Sequence, residues 1–305
     1  MKVDDDLARQ VIKPRLRESH KGSYGRVLLI GGLYPYGGAI IMAAIACVNS
    51  GAGLVTVATD RENITALHSH LPEAMAFDLR ETERFLENLR AADVVLIGSG
   101  LGEDSAASQA LDLVLKNIRA TQELVVDGSA LNLLAKKTKK DLPDCHLSLT
   151  PHQKEWERLS GLRIPEQTVS NTQKALGEFQ AGTILVAKSH KTAVYQGAEV
   201  THLEVGGPYQ ATGGMGDTLA GMVAGFLAQF ASTDSYKAVI VATWLHSAIA
   251  DNIAENAYVV LPTRISKAIP SWMKKFVIIK LKTCLKLKAS FFKFRYFFKF
   301  AEDDL

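Results

Sequence analysis

The sequence predicts an α/β fold: a central, mostly parallel sheet with helices on both faces, built as a single domain. Three observations carry this. Short apolar runs alternate with longer segments of helical periodicity. The strand-like runs are continuously apolar rather than alternating, as strands covered on both faces require. No internal repeat or linker interrupts the alternation before about residue 270.

In chain order, strands are expected at 26–32 (RVLLIGG), 53–59 (GLVTVAT), 93–99 (DVVLIGS), 123–128 (ELVVDG), 146–150 (HLSLT), 183–188 (TILVAK) and 192–197 (TAVYQG). Helices are expected between and after them, at 39–50, 82–91, 105–118, 129–137, 168–180, 218–230 and 235–254. The helix at 218–230 is the most sharply drawn. Leu219, Met222, Val223, Phe226, Leu227 and Phe230 make one wide apolar stripe. Ala220, Gly221, Ala224 and Gly225 leave the opposite face smooth enough for a second close neighbour.

Composition narrows the class. The 305 residues are 47% hydrophobic and 22% charged, ordinary for a soluble globular protein. The net charge of +3 is unevenly spread: residues 271–300 hold eight Lys and one Arg with no acid, so residues 1–270 carry −3. A slightly acidic body gives no reason to expect nucleic-acid binding. Cys47, Cys145 and Cys284 are far apart, with no CxxC and no nearby His in metal spacing, so neither a metal site nor a disulfide framework is expected. The start, MKVDDDLARQ, lacks an apolar core for a signal peptide, and no run of about 18 apolar residues is present. The expected location is the cytoplasm.

Ligands of such sheets bind at the carboxyl ends of the strands. The chemically informative residues fall there: GGLYPYGGA (31–39), GSGLGED (98–104), Asp127, TPHQKE (150–155) and KSHKT (188–192). The 31–39 stretch is not a P-loop, because Gly37-Gly38-Ala39 lacks the required Lys. The Rossmann spacing fails both there and at 214–219. His152 and Lys188, at this edge, are read as ligand contacts; His246 is read as core, and His68 and His70 are assigned nothing.

The stretch ATGGMGDTLAGMVAGFLAQF (211–230) completes the edge. Its glycines can take positive φ and bring backbone N–H groups of a helix N-terminus against an anion. Asp217, its only charge, fits either a helix cap or a catalytic carboxylate.

With these motifs in order, the chain resembles the ribokinase-like superfamily and, within it, the bacterial NAD(P)H-hydrate dehydratases. The resemblance rests on HKGSYGRVLLIGG (20–32), GGAIIMAAIACVNSGAGLVTV (37–57), IGSGLGED (97–104), VVDGSALNLLA (125–135), LTPHQKEWERLSG (149–161) and ATGGMGDTLAGMVAGFLAQ (211–229). It implies metabolite repair: dehydration of the S-form of C6-hydrated NADH and NADPH (NADHX, NADPHX) at the expense of ADP, with ATP as an alternative cosubstrate. It implies that Ala39, Gly102, His152 and Asp217 contact the hydrated nucleotide. Lys188, Ser189, His190, Lys191, Thr192 and Gly216 would contact the adenine nucleotide. Asp217 would be the base, with the Gly214 and Gly216 amides in an anion hole. Mg²⁺ would screen the phosphates, although no protein metal cluster is readable. A homotetramer and a separate epimerase are also implied. Three departures from the family pattern stand out: Asp127-Gly128-Ser129 lacks the second carboxylate of that pattern, and Lys154 and Ser189 each replace a Gly.

The alternatives are a small-molecule kinase of the same superfamily (thiazole or pyrimidine alcohol type) and a non-catalytic nucleotide-binding or membrane-surface protein. The expected layout is a lead-in at 1–19, a catalytic domain at 20–276 and an atypical tail at 277–305. The tail stretch KKFVIIKLKTCLKLKASFFKFRYFFKF (274–300) has the composition of AT-rich DNA read in the wrong frame and is read as non-functional.

Overall fold

A computed structural model describes residues 3–139 and 142–277; the tail at 278–305 lies outside the described residues. Nine strands form one sheet in the order β3-β2-β1-β4-β5-β6-β7-β8-β9. They are β1 (Arg26–Ile30), β2 (Leu54–Thr59), β3 (Met75–Asp78), β4 (Val94–Ile97), β5 (Glu123–Val126), β6 (His146–Leu149), β7 (Ile184–Ala187), β8 (Ala193–Gln196) and β9 (Glu199–His202). Neighbours from β3 through β7 pair in parallel, and β8 and β9 close the sheet as an antiparallel hairpin.

Apolar side chains alternate between two cores because successive residues of a strand face opposite ways. In β1, Val27 and Leu29 point into one layer while Leu28 and Ile30 point into the other. The first layer holds α1 (Asp5–Val11), α2 (Gly37–Asn49), α9 (Met215–Ala254) and α10 (262–277). The second holds α4 (Thr82–Ala91), α5 (Ser105–Asn117), α6 (Gly128–Leu134), α7 (Gln153–Ser160) and α8 (Val169–Leu176). The short α3 (Asn63–His70) follows β2 and buries Leu67. Leu7, Ala8 and Val11 of the lead-in share the first core with α9.

The smooth face of α9 meets α2. A Cβ on Gly221 would lie 2.1 Å from the Ala43 carbonyl oxygen, and one on Gly225 would lie 2.9 Å from that of Cys47. Any side chain there would push the two helices apart. The expected helices at 218–230 and 235–254 are both present: the first starts earlier, at Met215, and the two, numbered together as α9, are separated by a break at Asp234 (φ −173°, ψ 101°). Lys237 N–H donates to Asp234 Oδ1 at 3.0 Å, so Asp234 caps the second half. That half runs back beside the first toward the same sheet edge.

The elements absent from the sequence reading are β3, β9, α1, α3, α7 and α10. β3 and β9 are four-residue edge strands, and only one residue of β9, Thr201, is buried. α7 (QKEWERLS) is short and polar, holding its place through Trp156 and Leu159. Among the described residues no helix is long and apolar enough to cross a membrane.

Candidate active site

The strand order reverses around β1, whose neighbours are β2 and β4, and the loops after β1 and β4 border the resulting crevice. Those loops are zipped together: Gly32 N–H donates to Ser99 O and Leu33 N–H to Gly100 O, both at 2.9 Å. Asn63 Nδ2 braces the turn from below, donating to Gly37 O at 3.2 Å and Thr59 Oγ1 at 3.1 Å. Ala39 sits in the first turn of α2, packed against Gly100, and Gly102 opens onto free space.

Across the edge stands the N-terminus of α9. Gly214 is its N-cap, at φ +88°, a left-handed conformation that favours glycine, and a Cβ there would also displace the flexible end of Met42. Asp217 is therefore the third helical residue rather than the cap. The N–H groups of 213–216 meet no acceptor among the described residues. A Cβ on Gly216 would lie 3.2 Å from Lys188 Nζ, which puts an ammonium directly against this helix end.

Lys188 gathers the charges. Its Nζ donates to Asp127 Oδ1 at 2.8 Å, between side chains only 19% and 3% exposed. Thr150 Oγ1 donates to the same oxygen at 2.7 Å. Its backbone is fixed by Lys188 N–H donating to Pro151 O at 2.9 Å. Burial would depress the ammonium, but Asp127, Glu155 and Asp217 outweigh burial and raise its pKa. The carboxylates feel the converse. Glu155 is raised by burial and by Asp127, despite Lys188. Asp217 is pushed up to about 6, first by burial and then by the Asp127 charge, against the pull of Ser99 and Lys188. The Ser99 hydroxyl is close enough to favour the Asp217 anion, although the two form no hydrogen bond of ordinary geometry. Asp217 thus stays a carboxylate at neutral pH while being far more basic than a surface Asp.

His152 caps α7. Its Nδ1 accepts from Lys154 N–H at 3.0 Å and Glu155 N–H at 3.3 Å, and its own N–H donates to Glu155 Oε2 at 2.7 Å. That use of Nδ1 puts the proton of the neutral ring on Nε2, which stands 3.5 Å from Glu155 Oε1. Burial, then the Lys188 and Arg158 charges, keep the ring below its ordinary pKa.

His152, Lys188, Ser189, His190, Thr192 and Gly216 line one cavity of about 660 Å³, roofed by residues 205–211. Lys191 lines an adjoining cavity of about 330 Å³ on the far side of its own loop. Ala39, Gly102 and Asp217 lie on the same edge but outside both walls. Of the three departures, Lys154 points away and pairs with Glu157, while Ser189 Oγ accepts from Lys191 N–H at 3.0 Å and shapes its own loop. Gly128 starts α6 directly after Asp127. The sequence reading missed Glu155 and the Asp127–Lys188 pair, whose partners stand 61 residues apart with nothing local to join them.

Among the described residues no cluster of three or more His, Cys, Asp or Glu is placed to hold a metal ion. The donor set suits a hard cation carried on phosphates: both hydrogen bonds to Asp127 fall on Oδ1, leaving Oδ2, with Glu155 nearby.

A parallel sheet closed by an antiparallel hairpin, with a glycine-turned helix N-terminus and one Asp in its first turn, defines a ribokinase-like α/β enzyme. Within that class the chain belongs to the NAD(P)H-hydrate dehydratase family, whose profile matches residues 27–271. It is 89% identical over 275 residues to the ADP-dependent (S)-NAD(P)H-hydrate dehydratase of Streptococcus thermophilus, spanning 90% of this chain and 99% of that protein. It is similar to the crystal structure of a ribokinase-like superfamily protein from Enterococcus faecalis, with a TM-score of 0.86 and 45% identity over 90% of this chain and 95% of that one. It is also similar to an ADP/ATP-dependent NAD(P)H-hydrate dehydratase from Bacillus subtilis, co-crystallised with ATP/Mg²⁺, with a TM-score of 0.78 and 27% identity over 90% of this chain and 97% of that one.

Proposed function

We propose that this protein is an ADP-dependent hydro-lyase that returns (S)-NADHX and (S)-NADPHX to NADH and NADPH, converting ADP to AMP and phosphate. The observation that carries the mechanism is the juxtaposition at the α9 N-terminus: unpaired backbone N–H groups, Lys188 against Gly216, and Asp217 with a raised pKa. The transferred phosphoryl group rests on the 213–216 amides, where positioning and electrostatics supply most of the catalysis. Asp217 takes the proton of the C6 hydroxyl as that oxygen attacks phosphorus and the bond to AMP breaks. The C6–O bond then breaks with phosphate leaving, driven by the ring-nitrogen lone pair, and loss of a proton from the adjacent carbon restores the double bond. Lys188 holds the phosphates of the departing nucleotide. Bound Mg²⁺ would neutralise phosphate charge, held by Asp127 Oδ2 and Glu155 in addition to the nucleotide.

Ala39, Gly102 and His152 serve as the wall for the hydrated nucleotide, and the stretch from Lys188 to Thr192 together with Gly216 serves as the wall for ADP. The enzyme works in the cytoplasm as a homotetramer, with a separate epimerase converting the R hydrate. Catalysis resides in residues 20–276, and 277–305 contribute nothing to it.

The decisive experiment follows NADH absorbance on adding the enzyme to hydrated NADH and Mg²⁺, with ADP or ATP. Nucleotide-dependent recovery in the wild type that is lost in Asp217→Asn is expected. Consumption of ADP with no NADH recovered would overturn the reading in favour of a kinase.

A further inference from the structure

We infer that His246 determines nucleoside specificity: as a neutral imidazole it pairs with an uncharged donor or acceptor on the base or ribose of the adenine nucleotide. The inference rests on the nucleotide reading of the cavity above. The break at Asp234 folds α9 back on itself, so the cavity wall combines Met215, Gly216 and Leu219 from the first half with Thr243, His246 and Ser247 from the second. The same second half holds the roof, because Gly206 N–H donates to Asp251 Oδ1 at 2.9 Å and Oδ2 at 3.1 Å, and Tyr209 Oη donates to Asp251. The cavity therefore pairs a charged region, from Lys188 to the α9 N-terminus, with apolar and neutral polar surface from the roof and from Leu219 to Ser247. That division suits a ligand with an anionic end and an uncharged aromatic end.

His246 is only 3% exposed, yet its Nε2 makes no hydrogen bond of ordinary geometry among the described residues, although the Met215 backbone lies close enough to favour the cation. Leaving a buried ring nitrogen unpaired costs free energy unless a ligand supplies the missing bond. Burial pushes the ring down to about 4, and the Lys188 charge adds to this, against the Met215 backbone. A ring held neutral offers one donor and one acceptor and no cation. It is thus suited to a nucleobase edge or a sugar hydroxyl and unsuited to phosphate. The sequence places His246 on an apolar helix, where it reads as core; only the return of α9 brings it to a cavity wall.

The test is calorimetric binding of ADP, IDP and 2′-deoxy-ADP to the full chain, wild type and His246→Leu, with turnover in parallel. His246→Leu should weaken ADP binding about ten-fold, the loss of one good hydrogen bond. It should leave kcat at saturating ADP within about two-fold, because the lost contact serves ground and transition states alike. Discrimination against IDP should collapse if the base is read, or against 2′-deoxy-ADP if the ribose is. His246→Gln should restore part of the affinity, and it replaces His246→Leu if that variant does not fold. A folded variant that binds all three ligands like the wild type overturns the inference while leaving the enzyme's reaction intact. A wild type that binds no ADP overturns both.

Discussion

Two carboxylate clusters stand at the carboxyl edge of the same sheet with different balances of charge. At the end of β3, arginines match the acids: Asp78 accepts from Arg80 Nε at 2.8 Å and Arg61 Nε at 3.3 Å, Arg80 also pairs with Asp60 at 2.7 Å, and Glu81 pairs with Arg61 at 3.5 Å and Arg84 at 3.0 Å. Around Lys188 the balance tips, and Asp127, Glu155 and Asp217 share one ammonium. Burial pushes upward on Asp78, Glu155 and Asp217 alike. The arginines overcome it and hold Asp78 below the ordinary carboxylate range, whereas Glu155 and Asp217 end above theirs. Matched guanidinium partners stabilise the fold and leave an acid of low basicity. A surplus of buried anions costs stability and leaves carboxylates of raised basicity, the pattern expected of a functional cluster rather than a structural one.

The largest effect that sharpens this contrast is Asp217→Asn. Turnover should fall by ~10²–10⁴-fold, the usual worth of a positioned base. Its melting temperature at pH 7 should not fall. An acid whose native pKa lies above its unfolded value destabilises the fold once ionised, so removing the charge relieves the native state. A large loss of stability in this variant would break the contrast.

Next comes the acid limb of kcat/KM between pH 5 and 8, which should fall near the native Asp217 value of about 6. Lys188→Met should move that limb upward and raise KM for ADP by about 10- to 100-fold, the equivalent of a charged hydrogen bond. Asp127→Asn should move the limb downward, since its charge raises Asp217. The limb belongs to the coupled cluster, so only the opposite directions are diagnostic. Shifts of the same sign would mean that charge does not set the base.

Asp78→Asn should cost about 1–2 kcal/mol at pH 7, discounted because both arginines are well exposed, with kcat and KM unchanged. Because the native pKa of Asp78 is lowered, this contribution is complete above ~4 and is lost as pH falls through the native value. Urea unfolding of both proteins at pH 7 and at pH 3 checks it. The smallest effect is deletion of residues 278–305, for which activity and unfolding midpoint should match the full chain; a truncated protein that failed to fold would overturn the view of the tail as idle.

Much of this was legible in the sequence because it is local. Seven strands announce themselves as apolar runs, and the stripe from Leu219 to Phe230 and its small opposite face correctly imply a helix between two neighbours. What stayed hidden depends on distance or brevity. Met75 and Glu199, on edge strands, are exposed, so β3 and β9 leave little apolar signal. The start of α9 at Met215 follows a positive φ at Gly214, and any of the three glycines within 213–216 could have taken that role. Asp217 could be singled out by position, yet only the fold shows that it is not the cap, because it places Gly214 there. The surplus of carboxylates around Lys188 joins the ends of two strands, β5 and β7, to two helices, α7 and α9, and no window of sequence contains it.

The break at Asp234 also has a use in engineering. The turn lies at the end of the sheet opposite the ligand edge, where Ser235 Oγ donates to Glu123 Oε1 at 2.7 Å and Tyr236 Oη to Val194 O at 3.0 Å. Thr233 and Ser232, just before it, are exposed. Because these anchors hold the second half of α9 independently of the turn, a flexible peptide inserted between residues 232 and 233 should be accommodated without dismantling the cavity. The chain thus offers an internal attachment point for a probe or tag, remote from the chemistry it would report on.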